Sequence, residues 1–397
     1  MLRADKVVFG YNKSAKKDID FHSKFLSDDA DIILKNSYIY PPFINSHDHL
    51  VGNWLPVALD HAPYINSHIW VEDMKRSKAY LERNKYWINK GMTDLSSGAE
   101  LSLSKLGVYK NLFSGVGIVQ DHAPNQNDKY YNSFPIKVIK NYRQLHSIEL
   151  ENWWGGKSLE EEWSSASSKI PFILHIGEGI DPKTANEFAF AKNYGILKEN
   201  VVFIHAISFT KNEIAECAKN GVTLCWCPKS NINLIGKTLD IETALKEKVN
   251  LVLGTDSSFS GSVNLFEELR FAHKLYPNIP AEMLFKLIYE NPKKAFFLEN
   301  YFSDSTDSFL ALDKTNENPY KNILESNYDK ISLFVWKERP ILGNYDNLKL
   351  FDIDFKDYFT FYSNGKKKFV FGHPELLNQE IDNALGYHKK LAYLPFS

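Results

Sequence analysis

The 397-residue chain carries a formal net charge of −2, with 44% apolar and 24% charged residues. That is ordinary for a globular protein with a large core, and it leaves no electrostatic footprint for nucleic acid or an anionic membrane surface. Its three cysteines, Cys217, Cys225 and Cys227, fall within eleven residues and make a poor disulfide framework, so a reduced, cytoplasmic setting is expected. The polar start, with Lys16, Lys17 and Asp18, contains no signal-peptide segment, and no run approaches the roughly 18 apolar residues of a membrane helix.

Residues 1–40 lack any regular alternation of strand and helix patterns. From about residue 41 to 301 short apolar runs alternate with helical patterns, the signature of βαβ units around a parallel sheet. Strand one is expected at Phe43–His47, strand two at Gly91–Leu95 and strand three at Val116–Val119. Strand four is open between Ile136–Ile139 and Ser147–Leu150. Continuous buried-strand runs follow at Phe172–His175, Val201–His205, Val222–Trp226 and Leu251–Asp256. Helices are expected at Thr184–Tyr194, Lys211–Lys219, Asn264–Lys274 and Ala281–Glu290, and Pro292 can open another.

The spacing supports a count. His47 and His175 are 128 residues apart, four steps of about 32; His205 lies one step further, and Asp256 two shorter steps beyond that. Seven steps join eight strands, as a (β/α)₈ barrel requires. The tail, 302–397, carries strand-like runs at Phe309–Leu312, Ile331–Trp336 and Lys368–Phe371. The expected architecture is therefore α/β: a (β/α)₈ TIM barrel at 41–301, with a small β-sandwich layer formed from both termini.

The polar residues that punctuate this pattern share one location. Strand one ends in His47-Asp48-His49, whose imidazoles at i and i+2 point to the same side. His175-Ile176-Gly177-Glu178, His205 and Gly254-Thr255-Asp256 close later strands. All are at C-terminal strand ends, where barrel enzymes place their sites. Three imidazoles and a carboxylate suit one divalent transition metal, zinc foremost and iron as an alternative, with a position left for water. Taken singly, each has an ordinary explanation: His-x-His pairs are common on surfaces, buried histidines are often satisfied core residues, and Asp256 could cap the next segment. Their joint placement at barrel spacing favours a site.

These residues carry a resemblance. The stretch from about Asp29 to Phe297 is similar to the amidohydrolase superfamily, and within it to the branch of cytosine, guanine and adenosyl-type deaminases and triazine chlorohydrolases. The motifs are Pro42-Phe43-Ile44-Asn45-Ser46-His47-Asp48-His49-Leu50, His175-x-x-Glu178, Cys227-Pro228-Lys229-Ser230-Asn231, Leu253-Gly254-Thr255-Asp256-Ser257 and Asn291-Pro292-Lys293-Lys294-Ala295. The resemblance implies metal ligation by His47, His49, His175 and Asp256, and proton shuttling to a ring nitrogen by Glu178. It also implies orientation of the attacking water by His205, with Asp256 accepting its proton.

The implied reaction is attack of metal-bound hydroxide on a purine, pyrimidine, pterin or triazine, with loss of ammonia. Opening of a cyclic amide or imidazolone ring, or displacement of chloride, is the alternative on the same site, and a catalytically silent barrel a more distant one. The substrate is a small molecule, and a homodimer is a family-level expectation. Trp54, His122 and Asn231 are candidate substrate contacts, and Trp153-Trp154-Gly155-Gly156 a candidate loop over the site.

Two departures stand out. Ser305–Leu310 replaces the usual Gly-Lys-x-Ala-Asp-Leu-type entry into the β-layer. The bridging lysine or glutamate of binuclear relatives has only Lys137, Lys140, Glu149 and Glu151 as candidates. Cys225-x-Cys227 sits in an apolar strand and reads as core.

Overall fold

The computed structural model describes residues 1–10, 12–15, 18–27, 31–87, 92–298 and 307–396. Eight parallel strands occupy the middle of the chain: β4 (Phe43–Asp48), β5 (Val116–Asp121), β6 (Lys137–Val138), β7 (Arg143–Ser147), β8 (Phe172–Ile176), β9 (Val201–His205), β10 (Thr223–Trp226) and β11 (Asn250–Leu253). They hydrogen-bond as a three-stranded sheet, β4-β5-β6, and a five-stranded sheet, β11-β10-β9-β8-β7. No single closed ladder is present among the described residues. The outer strands β4 and β11 meet nonetheless: the Asp256 amide donates to the His47 carbonyl (3.1 Å) and the Thr255 amide to Asn45 Oδ1 (3.1 Å).

The four runs read as buried strands are buried along their length, Phe203, Leu224 and Val252 being wholly so. Cys225 and Cys227 are equally buried and unpaired, so they act as core. The helices between these strands are set by local chemistry. Asp181 caps Pro182–Asn193, and Thr210 with Glu213 forms a capping box on Lys211–Lys219. Helices Leu265–Leu275, Ala281–Ile288 and Glu290–Ala295 follow as expected.

The expected second strand is corrected. Gly91 lies outside the described residues, and Met92–Leu95 is turn and loop. The Asp94 carboxylate accepts both the amide (3.0 Å) and the hydroxyl (2.6 Å) of Ser96, a local turn that competes with strand pairing and leads into a helix. That region instead holds α1 (Ser67–Met74), α2 (Lys78–Tyr86) and α3 (Gly98–Leu112), and β5 pairs directly with β4. Of the two regions considered for strand four, Ile136–Ile139 holds β6, which is the third strand, while the fourth, β7, ends at Ser147 and Ile148–Leu150 is turn.

The termini combine as expected into one β-layer. β1 (Leu2–Gly10), β2 (Lys13–Ala15) and β3 (Ile32–Tyr40) join β12 (Phe309–Asp313), β13 (Ile331–Trp336), β14 (Arg339–Asn344), β15 (Tyr358–Ser363) and β16 (Lys366–Phe371). The order is β15-β16-β14-β13-β12-β3-β1-β2, a single eight-stranded sheet; a second sheet to complete a sandwich is not present among the described residues. Ser305 and Thr306 lie outside those residues.

Gly254 permits the approach of β11 to β4, because a Cβ there would lie 2.6 Å from His47 Cβ and 2.9 Å from the His47 nitrogen. Gly254→Ala should therefore cost about 1–3 kcal/mol of stability, read by denaturant unfolding. An unchanged unfolding midpoint would show that the two strand ends are not tightly packed.

Candidate metal centre and active site

His47, His49, His175, His205 and Asp256 converge at the C-terminal strand ends, although they span more than half the chain. His47 Nε2 lies 3.3 Å from His175 Nε2. Asp256 Oδ1 is 3.7 Å from His47 Nε2 and 3.6 Å from His49 Nε2. Ligands about 2.1 Å from a tetrahedral zinc-like ion stand about 3.4 Å from one another, so these separations are those of a coordination shell. Two overlapping sets could hold an ion, His47 with His175 and His205, and His47 with His49 and Asp256.

For three of the rings the outer nitrogen fixes which atom faces inward. His49 Nδ1 bonds the His122 carbonyl (3.0 Å), His175 Nδ1 the His146 carbonyl (2.7 Å) and His205 Nδ1 the Asn231 Oδ1 (2.7 Å). Each Nδ1–H donates to an oxygen, which leaves Nε2 as the lone-pair atom towards the cluster. Burial pushes His49 down to about 3. Burial, then the neighbouring imidazoles, hold His175, His122 and His146 well below the usual histidine range. For Asp256 burial works towards a higher value, but its contact with His47 and the potential of the histidines outweigh it and keep the carboxylate ionised. Neutral imidazoles beside an ionised carboxylate are the donor set a divalent cation requires.

Asp256 is held tightly. Oδ2 accepts the hydroxyls of Ser230 (2.6 Å) and Ser260 (3.2 Å), and Oδ1 accepts the Ser257 amide (2.6 Å) while facing the histidines. Its φ of 55° and that of His205, 73°, lie in the left-handed region, which non-glycine residues enter rarely and which clusters at functional sites.

Glu178 follows β8 and approaches His205 Nε2 to 3.5 Å. Its main-chain carbonyl is pinned by the amide of Ser67 (3.0 Å), the first residue of α1. Burial, reinforced by the charge of Asp256 and opposed by His205, raises its carboxyl above the usual range, as a proton donor needs.

A cavity of about 210 Å³ opens onto His49, His175, Glu178, His205 and Asp256. Its remaining walls are largely apolar, with Trp70 and Met74 from α1, Phe259, and Trp153 and Trp154 from the segment expected to cover the site. Trp154 meets His146 edge-on at 4.2 Å. Arg83 of α2 also reaches the wall, stacked on Tyr80 and Trp87.

The expected substrate contacts are corrected, because none of them lines the cavity. Trp54 packs against Tyr86 at 5.8 Å in the core. His122 is wholly buried and stacks on His175 at 4.4 Å. Asn231 is wholly buried, and its contact is with His205. Lys137, Lys140, Glu149 and Glu151, candidates for bridging two metals, do not line the cavity either. Sequence reasoning missed His146, which lies one residue before the end of β7, where the other site histidines suggested looking. It also missed Ser230 and Ser260, which carry no signal of their own.

Residues 170–301 match the description of the Amidohydrolase family. A 5-methylthioadenosine/S-adenosylhomocysteine deaminase from Thermococcus sibiricus is 35% identical over 321 residues, covering 69% of this chain and 74% of that protein. The chain belongs to the amidohydrolase family. It is a hydrolase acting on carbon–nitrogen bonds, of the deaminase branch. A deaminase of the same description from Thermococcus onnurineus is 23% identical over 380 residues, covering 82% of this chain and 88% of that protein. Among solved structures, atrazine chlorohydrolase from Arthrobacter aurescens TC1 complexed with zinc aligns with a TM-score of 0.66 at 16% identity, over 88% of this chain and 98% of that one. At that identity the likeness speaks to fold, which is of the TIM-barrel type. Among the described residues no helix is long and apolar enough to cross a membrane.

Asn231→Leu removes the acceptor for His205 Nδ1. It should lower kcat about ten- to hundredfold with bound metal and KM little changed, measured by steady-state kinetics alongside metal analysis. An unchanged kcat would show that His205 needs no such partner.

Proposed function

We propose that this amidohydrolase deaminates an adenine-type heterocycle carrying an apolar substituent, at a single divalent ion held by His47, His49, His175 and Asp256, with zinc as the native ion. The observation that carries the reading is the convergence of those ligand atoms with Glu178 and His205 on one cavity whose far walls are aromatic and apolar. Its similarity to 5-methylthioadenosine/S-adenosylhomocysteine deaminases supports the purine in particular.

When bound, the divalent ion supplies Lewis-acid chemistry and lowers the pKa of water towards neutrality. The chain's own residues do the rest. Tryptophan faces suit a planar ring and exclude bulk water. Glu178, with its raised pKa, holds a proton for the ring nitrogen next to the amino-bearing carbon. His205 Nε2 orients the incoming water oxygen, and Asp256 Oδ1 accepts its proton. Transfer of protons to the departing amine releases ammonia and leaves a carbonyl on the ring, so one water is consumed for each ammonia released. The raised carboxyl of Glu178 favours deamination over chloride displacement, since expelling a halide does not require a protonated leaving group.

In the same reading, residues 41–301 are a (β/α)₈ barrel whose two parallel sheets are its two arcs, and 1–40 with 302–397 form one accessory β-domain. Three buried, unpaired cysteines agree with a reducing cytoplasm.

Zinc-loaded protein should release ammonia from 5′-deoxyadenosine or 5-methylthioadenosine and convert the adenine chromophore to hypoxanthine. Glu178→Gln should retain about one metal per chain while losing more than about 100-fold in turnover. Full activity in that variant would refute the proton-shuttle role. Chloride release or ring opening in place of ammonia would refute the deaminase reading.

A further inference from the structure

One wholly buried cation lies behind the cluster and has no place in the chemistry above. Lys110, on α3, is 0% exposed, and its Nζ contacts four acceptors: Asp48 Oδ1, Asn53 Oδ1 and Thr255 Oγ1, each at 3.0 Å, and the main-chain carbonyl of Asp256. An ammonium has three protons, so this group is saturated and has none to offer a substrate. Its partners fall into two sets. Asp48 stands between His47 and His49 on β4, and Asn53 follows on the same segment. Thr255 and Asp256 follow the end of β11.

We propose that Lys110 is a positioning residue that ties the Asp48 carboxylate, on the strand bearing His47 and His49, to the main-chain carbonyl of Asp256, and so sets the gap across which these ligands share an ion. The inference rests on the metal-site reading given above.

Three further observations support it. Asp48 points away from its flanking histidines by strand alternation, so Lys110 grips the strand from behind the ligands. The next residue on α3, Asn111, donates to the other Asp48 oxygen (2.8 Å) and accepts from Asn45 (2.8 Å), so the helix holds both carboxylate oxygens. The helix can come this close because Gly107 has no side chain: a Cβ there would lie 2.2 Å from the Leu50 carbonyl oxygen.

On the β11 side, Asp256 holds a left-handed backbone conformation that needs external support. The ammonium on its carbonyl supplies that support, together with the Thr255 hydroxyl (3.0 Å) and the bond from the Asp256 amide to His47.

Removing Lys110 alone strands a buried carboxylate, so the test pairs Lys110→Met with Asp48→Asn, and adds Lys110→Gln as a second variant. Lys368→Met is the control: Lys368 is equally buried, but in the terminal sheet, where it bonds the Ile331 carbonyl. Zinc affinity is measured by competition with a chromogenic chelator, and folding by thermal melting.

The K110M/D48N pair and K110Q should each melt cooperatively and bind zinc at least about tenfold more weakly than the parent, as loss of outer support does at metal sites. With zinc saturating, kcat should fall and KM should hold. K368M should lower the melting temperature and leave zinc affinity within about twofold. A folded Lys110 variant with the parent's zinc affinity and kcat overturns the proposal and leaves the metal-site reading standing. A parent protein that takes up no zinc overturns both.

Discussion

The separation between the ends of β4 and β11 is the constraint on which the rest of this molecule depends. β4 carries His47 and leads into His49, β11 leads to Asp256, and Asp256 Oδ1 lies 3.7 Å from His47 Nε2 and 3.6 Å from His49 Nε2. A few tenths of an ångström decide whether such atoms can share an ion, because metal–ligand distances vary little. The two strands do not form a regular ladder. They are joined instead by the Asp256–His47 main-chain bond, the Asn45–Thr255 contact, the close approach at Gly254 and the ammonium of Lys110.

Burial gives these contacts their force. In a low-dielectric interior an imidazole sheds its proton and a carboxylate persists only where hydrogen bonds and positive potential support it. Both occur here: His49 and His175 fall below their usual range, while Asp256 accepts two serine hydroxyls and a main-chain amide. Glu178 has weaker support and moves the other way, so two acids in one cavity are shifted in opposite directions. The left-handed backbones of His205 and Asp256 are the strain that accompanies this arrangement.

The walls of the cavity have a different origin. Chemistry-bearing residues sit on strand ends, whereas Trp70, Met74 and Arg83 arrive on α1 and α2, in the long connection between β4 and β5. Rigid strands position the reacting groups, and the inserted helices shape what is admitted.

The sequence by itself determined the strand ends and the polar residues that close them. Continuous apolar runs closed by His175, His205 and Asp256 can be read locally, since a fully buried parallel strand has few alternatives. The tail runs at Phe309 and Ile331 were legible because they too are continuously apolar and buried on both faces, although they pair antiparallel. The second strand was misread because Met92–Leu95 has a strand-like composition, while Asp94 bonds its own neighbour, a contact no periodicity reveals. Trp54, His122 and Asn231 were placed near the site correctly in chain terms and wrongly as to facing, because which way a buried side chain turns depends on the element packed over it. Lys110 gave no signal at all. Its role comes from acceptors 57 to 146 residues away, and only the folded chain brings those groups within reach of one ammonium.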